Sequence, residues 1–458
     1  MAMWKVTGSA ATDCDGITRR SFVQNGVLGV GGLGLADVLR LRSEAASSVD
    51  ASTDTSVILF WLSGGPGHME TYDPKPDAVD QYRGPFGAIS TSVPGIQFSE
   101  MLPEQAKLAH HMNVLRSVNH GSGDHTKGNH WMLTGFEGPA FNASDNKVQR
   151  RPAMGSVTSI LRGAGQPGIP PYVGAPNLRG GTDNLFHYAA YLGGGANPFI
   201  VNSDPNTSEY KVRDLSLPTE MPFSRLDDRR SLLRTLDGFL ARNERNMLDM
   251  NEHQQRAFNM LTSKQLREAF DINAESASVR DSYGRHTFGQ SALLARRLVE
   301  RGSTFVTVNC VPWDHHGTSN RYATEKGANL LIPPLDRAIA GLIRDLLDRG
   351  LFEKTLIVAM GEFGRTPKMN SSAGRDHWGR VFSVMMAGGN MSRGLTVGAS
   401  NARGEYPIDR ALDPQDVSAT VYHHLGINAK AITFPSNDGR PMHLVEKGEP
   451  VRELVGNA

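Results

Sequence analysis

The chain has 458 residues, and hydrophobic residues make up 39 % of them, which is enough for a large buried core. Its 48 lysine and arginine residues nearly balance its 47 aspartate and glutamate residues, and no basic stripe indicates nucleic-acid binding. The two cysteines, Cys14 and Cys310, exclude a disulfide framework and a cysteine-based zinc site. Any metal must therefore be held by histidine and carboxylate side chains.

Residues 1–45 contain the three parts of an export signal. A twin-arginine pattern at Thr18–Gln24 is followed by a glycine-rich apolar run at Asn25–Ala36. This run is shorter than the roughly 20 residues that a membrane span needs, so we expect no stable span. The small residues Ser43 and Ala45 precede the predicted cleavage point. We expect this leader to direct export by the twin-arginine machinery, to the periplasm or outside the cell.

The remaining chain, residues 46–458, is expected to form one catalytic domain whose strands and helices alternate. Continuous apolar runs that end at glycine indicate buried strands, and apolar residues at three- and four-residue spacing indicate helices. In chain order we predict a strand at Ser56–Ser63, a strand at Asn113–Val118, a helix at Thr126–Leu133 ended by Gly135, a helical insertion around residues 222–301, a strand at Ser303–Cys310, a helix at Leu335–Arg349, strands at Thr355–Met360 and Val381–Ala387, and a helix at Pro414–Leu425. Such alternation predicts an α/β fold with a mostly parallel sheet covered on both faces.

Histidine and carboxylate residues follow the predicted strands at the points where the strands end. They include His68, Glu70, His125, Asp314, His316, Glu362 and His377. Because ligands of open α/β sheets bind beyond the carboxyl ends of the strands, we expect these loops to converge. Imidazole and carboxylate groups bind hard or borderline divalent cations, and Arg365 suits two-point contact with an oxyanion.

Each of these residues also has an ordinary structural interpretation. A lone histidine in a loop is more often hydrogen-bonded than a metal ligand, Glu362 could pair with Arg365, and Asp376 could pair with Arg375. Five such loops at strand ends nevertheless favour a joint site for one or two divalent ions that activate water or polarise a phosphoryl or sulfuryl oxygen. The ligand types do not distinguish Zn, Mn, Ca and Mg.

Several segments together resemble the domain-of-unknown-function 1501 family. They are the twin-arginine leader, SVILFWLSGGPGHMETYDPKP, GDHTKGNHWMLTG, VPWDHHG, GEFGRTPKMN, GRDHWG and NDGRPMHLVEKG, and they cover nearly the whole chain. That family is placed in the alkaline phosphatase/sulfatase superfamily. The resemblance implies an α/β/α sandwich with a metal site at one edge of the sheet, but it leaves the substrate undefined.

The metal residues of the superfamily carry over only in part. The resemblance implies metal ligands at Asp314, His316, Glu362 and His377. Members usually have an aspartate directly after the first strand, where this chain has Ser63 and Gly64, so His68 or Glu70 would supply that ligand. Phe363 replaces a further histidine of the superfamily.

The nucleophile of the superfamily corresponds to His125, and Thr126 is its neighbour. A cysteine-derived formylglycine is impossible here because no cysteine is present. Two routes stay open, attack by Thr126 and direct attack by metal-activated water. His125 would then be a metal ligand or a general acid, and Arg365 would hold the oxygens of the reacting group.

These observations predict an exported, metal-dependent hydrolase of phosphate or sulfate esters, acting on a small molecule or a glycan. The alternative is a binding or accessory protein on the same fold with a degenerate metal site, since fold does not fix function. A redox enzyme is disfavoured because no Gly-X-Gly-X-X-Gly motif opens a helix after a strand.

Overall fold

The computed structural model describes residues 49–50, 54–140, 142–144, 148–178, 186–212, 257–317 and 323–456. The predicted export leader and residues 222–256 of the predicted helical insertion lie outside the described residues. Within the described ranges, no helix combines the length and the apolar character that crossing a membrane requires.

Within the described ranges, eight strands form one central sheet, and eight further strands form four two-stranded sheets. In chain order the strands are β1 Ser56–Trp61, β2 Ala88–Ser90, β3 Gln97–Ser99, β4 Met112–Val118, β5 Tyr172–Ala175, β6 Phe199–Ile200, β7 Phe305–Asn309, β8 Thr355–Met360, β9 Gly364–Arg365, β10 His377–Trp378, β11 Phe382–Gly388, β12 Leu395–Val397, β13 Ala399–Ser400, β14 Pro407–Asp409, β15 Thr433–Pro435 and β16 Pro441–His443. The central order is β12-β4-β11-β8-β1-β7-β5-β6. Only β11 runs antiparallel to its neighbours in that sheet, so the prediction of a mostly parallel sheet is confirmed.

Helices cover both faces of this sheet. They are α1 Asp80–Arg83, α2 Pro103–Lys107, α3 His125–Thr134, α4 Met154–Leu161, α5 Lys264–Phe270, α6 Ala277–Tyr283, α7 Thr287–Glu300, α8 Thr324–Asp348, α9 Pro414–His424 and α10 Arg452–Val455. Successive side chains of a strand point to opposite faces. In β1, Ile58 and Phe60 therefore join a core with α7 and α8, whereas Val57 and Leu59 join a core with α4 and α9. The result is a three-layer α/β/α sandwich.

The predicted strands and helices are largely confirmed, and the largest difference is the start of α8. This helix begins at Thr324, whereas the sequence predicted a start at Leu335, and it contains Pro333 and Pro334. Proline inside a helix costs about 3 kcal/mol because it removes a backbone hydrogen bond and clashes with the preceding turn. Burial of Leu331 and Ile332, which are 6 % and 1 % exposed, offsets part of that cost.

Strands β5, β6 and β12 were not predicted. They have only four, two and three residues, too few for a periodic pattern. Strands β1, β7 and β8, which were predicted, lie side by side in the middle of the sheet, with Trp61 paired to Asn309 on one side and to Met360 on the other. Their carboxyl ends therefore meet at one edge of the sheet.

Candidate metal centre

Three loops at this edge of the sheet bring four potential metal ligands together. His125 begins α3 after β4, Asp314 and His316 follow β7, and His377 lies in the hairpin after β8. One ligand atom of each of these four residues lies within 4.8 Å of the other three. The predicted convergence of the strand-end loops is thus observed, and we call these four residues the metal cluster.

The carboxylate of Asp314 lies at the centre of the metal cluster. Its Oδ1 is 2.8 Å from His316 Nε2, 3.0 Å from His377 Nε2 and 3.6 Å from His125 Nε2. The Nε2 atoms of His316 and His377 are 2.7 Å apart. All three rings therefore direct the same nitrogen toward one carboxylate oxygen.

The other nitrogen of each ring, Nδ1, faces an oxygen outside the metal cluster. The partners are Glu362 Oε1 at 2.7 Å from His125, Asp376 Oδ1 at 3.2 Å from His316, and the Gly123 carbonyl at 2.8 Å from His377. A neutral imidazole has one N–H, and an Nδ1 that donates it leaves a lone pair on Nε2. Metal-binding histidines almost always have such an oxygen partner on the nitrogen that does not bind the metal.

The local structure of α3 places His125. Asp124 precedes the helix as its N-cap and accepts a hydrogen bond from the Lys127 backbone N–H, and Gly135 ends the helix in the left-handed conformation. Gly128 lets α3 approach the loop after β8, because a Cβ at this position would lie 2.9 Å from the Glu362 carbonyl oxygen. The sequence predicted both this helix and its glycine end.

Glu362, a predicted metal ligand, lies behind His125 and not in the metal cluster. Its side chain is fully buried, and Oε1 accepts hydrogen bonds from His125 Nδ1 and from the Gly64 backbone N–H at 2.8 Å. Its Oε2 has no hydrogen-bond partner within the part of the chain that the structure describes. Glu362 thus orients the His125 ring and joins it to the loop after β1.

Arg365, the predicted oxyanion-binding residue, has its donors occupied by the protein. The guanidinium is 1 % exposed and donates to the backbone carbonyls of Gly64, Gly65 and Trp313 and, at 2.7 Å, to Asp314 Oδ1. A fully engaged, buried guanidinium is poorly placed to bind substrate. Arg365 instead holds the loops after β1 and β7 together and fixes the Asp314 carboxylate.

His68 and Glu70, the remaining predicted metal ligands, are directed elsewhere. His68 Nε2 lies 2.9 Å from the Gly404 carbonyl, and burial lowers the pKa of this imidazole. Glu70 is buried and accepts a hydrogen bond from Arg375 Nε at 2.8 Å. Both side chains therefore belong to the packing of the loop after β1, and neither reaches the metal cluster.

Thr126, the candidate nucleophile, is only 6 % exposed. It follows His125 in α3, and consecutive helical residues leave the axis about 100° apart. His125 directs Nε2 into the metal cluster, and the next side chain therefore leaves α3 on a different side. The geometry favours the ligand role for His125 over the nucleophile role for Thr126.

Asp376 and Phe363 also line the site, although neither was among the predicted metal ligands or catalytic residues. The ordinary alternative, a pair of Asp376 with Arg375, does not form in the described part of the chain, because Arg375 bonds to Glu70 and Asp376 faces His316. The Phe363 ring stacks on the His377 ring, with centroids 4.4 Å apart. The adjacency of Asp376 to a predicted ligand was the only signal in the sequence for its role.

The charges within the metal cluster shift one another's protonation. Burial alone would raise the pKa of Asp314, but hydrogen bonds from the three histidines and the charge of Arg365 hold it well below its usual range. The hydrogen bond to Asp314 raises the pKa of His316, whereas burial lowers the pKa of His377. Asp314 thus stays ionised and contributes a negative charge to the cluster.

Comparison with solved structures finds distant neighbours. They include the PsFucS1 sulfatase from Pseudoalteromonas sp. (13 % identity, 93 % of this chain and 74 % of that chain, TM-score 0.38) and a phosphonate monoester hydrolase of Agrobacterium radiobacter (15 %, 88 % and 78 %, TM-score 0.36). The lipoteichoic acid synthase LtaP from Listeria monocytogenes is similar over 92 % of this chain and 79 % of that chain (11 %, TM-score 0.35). At such low similarity, the functional argument rests on the geometry of the site.

Comparison with curated proteins finds no match. Comparison with known families matches residues 54–455 to the family described as "Protein of unknown function (DUF1501)". This match covers nearly all of the domain that contains the central sheet and the metal cluster. The chain therefore belongs to the DUF1501 family.

Proposed function

We propose that this chain is a metal-dependent hydrolase of phosphate or sulfate esters, with a divalent cation held by His125, Asp314, His316 and His377. The observation that supports this proposal is the convergence of three Nε2 atoms on Asp314 Oδ1. The Nε2 atoms of His316 and His377 lie 2.7 Å apart beside Asp314 Oδ1, and a metal ion could take the place of the protons that these nitrogens share with each other and with the carboxylate. The donor set therefore fits a bound metal.

Access from solvent supports a catalytic role for the metal cluster. The side chains of His316 and Asp314 are 38 % and 33 % exposed, so a substrate at the edge of the sheet can reach the ligand atoms. His125 and His377 are 15 % and 19 % exposed and form the inner wall. An ester on a small molecule or on a glycan chain can approach such an open site.

A divalent cation held by these four residues would act as a Lewis acid, which polarises a phosphoryl or sulfuryl oxygen and lowers the pKa of water. The protein's own residues fix the geometry. Glu362 and Asp376 orient two of the imidazole rings, and Arg365 holds the central carboxylate. Phe363 covers one face of His377 and excludes water from that side.

Turnover of model esters tests the hydrolase. We expect the metal-loaded full chain to cleave p-nitrophenyl phosphate or p-nitrophenyl sulfate, and His316→Ala to reduce kcat/KM by at least about 100-fold because it removes a metal ligand. His443→Ala serves as the control, since His443 is exposed, lies in the β15–β16 hairpin and is not part of the metal cluster. A metal-loaded wild type that cleaves neither ester, nor phosphate and sulfate esters of sugars, would refute the hydrolase.

A binding or accessory protein is the second candidate, and one observation favours it. Four protein ligands would complete a tetrahedral shell, and closed four-ligand sites are typical of structural zinc, whereas catalytic zinc sites keep one position open. His125 has the longest distance to Asp314 Oδ1, 3.6 Å. His125→Ala tests whether a closed shell of four ligands prevents catalysis. Esterase activity that rises while the metal is retained would show that an open position is needed for catalysis.

We also propose that the protein is exported, on the basis of the twin-arginine pattern in the leader. The double variant Arg19→Lys/Arg20→Lys keeps the charge of the leader but removes the arginine pair. We expect it to remain in the cytoplasm, whereas the wild type appears in the exported fraction. Equal export of both proteins would refute recognition by the twin-arginine machinery.

A further inference from the structure

We propose that the metal cluster binds a single borderline transition-metal ion of the Zn²⁺ class and discriminates against Ca²⁺ and Mg²⁺. This inference rests on the metal site of the proposed function and specifies its ion. Three observations support it: the chemistry of the donor atoms, the distances between them, and the engagement of the nearby carboxylates with the histidine rings.

The donor atoms are three imidazole nitrogens and one carboxylate oxygen. Ca²⁺ takes six to eight oxygen ligands, and Mg²⁺ requires an octahedral shell of oxygens. Imidazole nitrogen instead suits Zn²⁺ and its first-row neighbours, such as Co²⁺ and Ni²⁺. A site that is three-quarters nitrogen therefore disfavours both of the hard cations.

The distances between donor atoms agree with this choice. Zn²⁺ binds nitrogen at about 2.0–2.1 Å, so tetrahedral ligand atoms lie roughly 3.3 Å from one another. The distances among Asp314 Oδ1 and the three Nε2 atoms include 2.7, 2.8, 3.0 and 3.6 Å, which bracket that value. Small shifts of the side chains, on the order of half an ångström, would give one ion four equal bonds.

The carboxylates beside the metal cluster support a single ion. Glu362 Oε1 faces Nδ1 of His125, and Asp376 Oδ1 faces Nδ1 of His316, so each lies behind a ring and away from the ligand atoms. Within the described ranges, the metal cluster is the only group of this kind that could hold a metal. We therefore expect one ion for each chain.

Glu362 is the positioning residue for the innermost ring. A carboxylate that accepts from Nδ1 makes Nε2 of the same ring more basic, which strengthens its bond to a borderline cation. The side chain of Glu362 is 0 % exposed, so water does not replace this hydrogen bond. Glu362→Gln keeps the size of the side chain and is expected to weaken Zn²⁺ binding about 10- to 100-fold.

Titration of the metal-free full chain with ZnCl₂, CoCl₂, CaCl₂ and MgCl₂ tests the inference, with calorimetry and visible absorption as readouts. We expect one Co²⁺ per chain, with the intense visible band of a four-coordinate ion. An equimolar amount of Zn²⁺ should abolish that band. Affinities for Ca²⁺ and Mg²⁺ should be on the order of a thousandfold lower than that for Zn²⁺. Ca²⁺ or Mg²⁺ binding with an affinity equal to that of Zn²⁺, or two Co²⁺ ions per chain, would overturn the inference.

Variants assign the signal to the metal cluster. His316→Ala should lose the Co²⁺ band, and Asp314→Ala serves as the second variant if the first fails to fold. A band that survives in a folded variant of either residue would overturn the assignment. Zn²⁺ binding without hydrolysis of any ester would refute the proposed function and leave this inference standing, because the metal readout does not depend on turnover.

Discussion

Two neighbouring regions at the edge of the sheet use the same kinds of side chain in opposite ways. In the metal cluster, the central carboxylate of Asp314 is surrounded by three imidazoles and is 33 % exposed. The second region surrounds the loop after β1. There Glu70 pairs with Arg375, and Asp73 lies near Lys75 and Arg116, and we call these five residues the buried charge network. Histidine, carboxylate and arginine occur in both regions, yet only the first has the arrangement of a metal site.

The difference lies in the partner of each carboxylate. Glu70 and Asp314 each accept from a buried guanidinium, that of Arg375 and that of Arg365, but only Asp314 also has three imidazole partners. A neutral imidazole that donates from Nδ1 still has a lone pair on Nε2. Among the described residues, the buried charge network therefore offers no free donor atoms to a cation, whereas the ring nitrogens of the metal cluster face one point. Arg365 links the two regions because it binds both Asp314 and the loop after β1.

Removal of the arginine from the buried charge network should have the largest effect on stability. Arg375 is 1 % exposed and bonds to Glu70 and to the backbone carbonyls of Thr366, Pro367 and Tyr82. Arg375→Ala leaves a buried, unpaired carboxylate, and we expect a loss of about 3–5 kcal/mol in the free energy of unfolding. Urea denaturation followed by circular dichroism measures it.

The matched control is an exposed ion pair. Arg83 and Asp80 lie 2.6 Å apart, but their side chains are 42 % and 90 % exposed. Arg83→Ala should therefore change the free energy of unfolding by less than about 1 kcal/mol. Equal losses for Arg375→Ala and Arg83→Ala would show that the buried charge network is not the stabilising element that its geometry indicates.

Asp336 extends the comparison to a buried carboxylate that accepts from backbone N–H groups. It accepts hydrogen bonds from the backbone of Glu104 and Gln105 at the start of α2, and burial raises its pKa from 3.8 to about 6. Because the folded-state pKa lies above the unfolded value, protonated Asp336 stabilises the folded protein. This contribution is fully present below pH 3.8 and is lost as the pH rises through 6. Between pH 4 and pH 7 the loss is about 2–3 kcal/mol.

Asp336→Asn tests this pH dependence, because its amide does not titrate in that range. We expect the free energy of unfolding of the wild type to fall relative to that of the variant as the pH rises from 4 to 7. Urea denaturation at four pH values gives the difference between the two proteins. A difference that is constant with pH would mean that Asp336 keeps an ordinary pKa in the folded protein.

His377→Ala tests the metal cluster without the buried charge network, since we expect it to weaken metal binding far more than it lowers the free energy of unfolding. The ring supplies one of the four ligand atoms and is 19 % exposed. We expect Zn²⁺ affinity to fall at least about 100-fold, as loss of a direct ligand exceeds the 10- to 100-fold typical of outer partners. Calorimetric titration measures the change, with His443→Ala as the control for a lost exposed histidine. An unchanged affinity would exclude His377 as a ligand.

Much of the fold could be predicted from sequence because the central strands are continuous apolar runs. β1 and β8 are buried at every position, which the runs at Ser56–Ser63 and Thr355–Met360 already indicated. Parallel strands end at one edge, so the convergence of their loops followed from the strand assignment alone. The reversed direction of β11 could not be predicted, since an apolar run has the same pattern in both directions.

The choice between metal ligand and structural pair could not be predicted, because it depends on partners that are distant in the chain. Glu70, a predicted metal ligand, pairs with Arg375 across 305 positions, whereas Glu362 neither joins the metal cluster nor forms the alternative local pair with Arg365. The two side chains diverge because Arg365 extends to the carbonyls of the loop after β1, while Glu362 faces α3. Spacing along the chain carries no information about this divergence.

Asp376→Asn should have the smallest effect among these changes and gives the finest test of the comparison. Asp376 Oδ1 lies 3.2 Å from His316 Nδ1, and its side chain is 59 % exposed. Since water can replace an exposed acceptor, we expect Zn²⁺ affinity to fall about tenfold or less, the lower end of the range for outer partners. Glu362→Gln, whose acceptor is fully buried, should lose more. Calorimetry measures both affinities. A larger loss for Asp376→Asn than for Glu362→Gln would show that burial of the acceptor does not determine how strongly it supports the metal cluster.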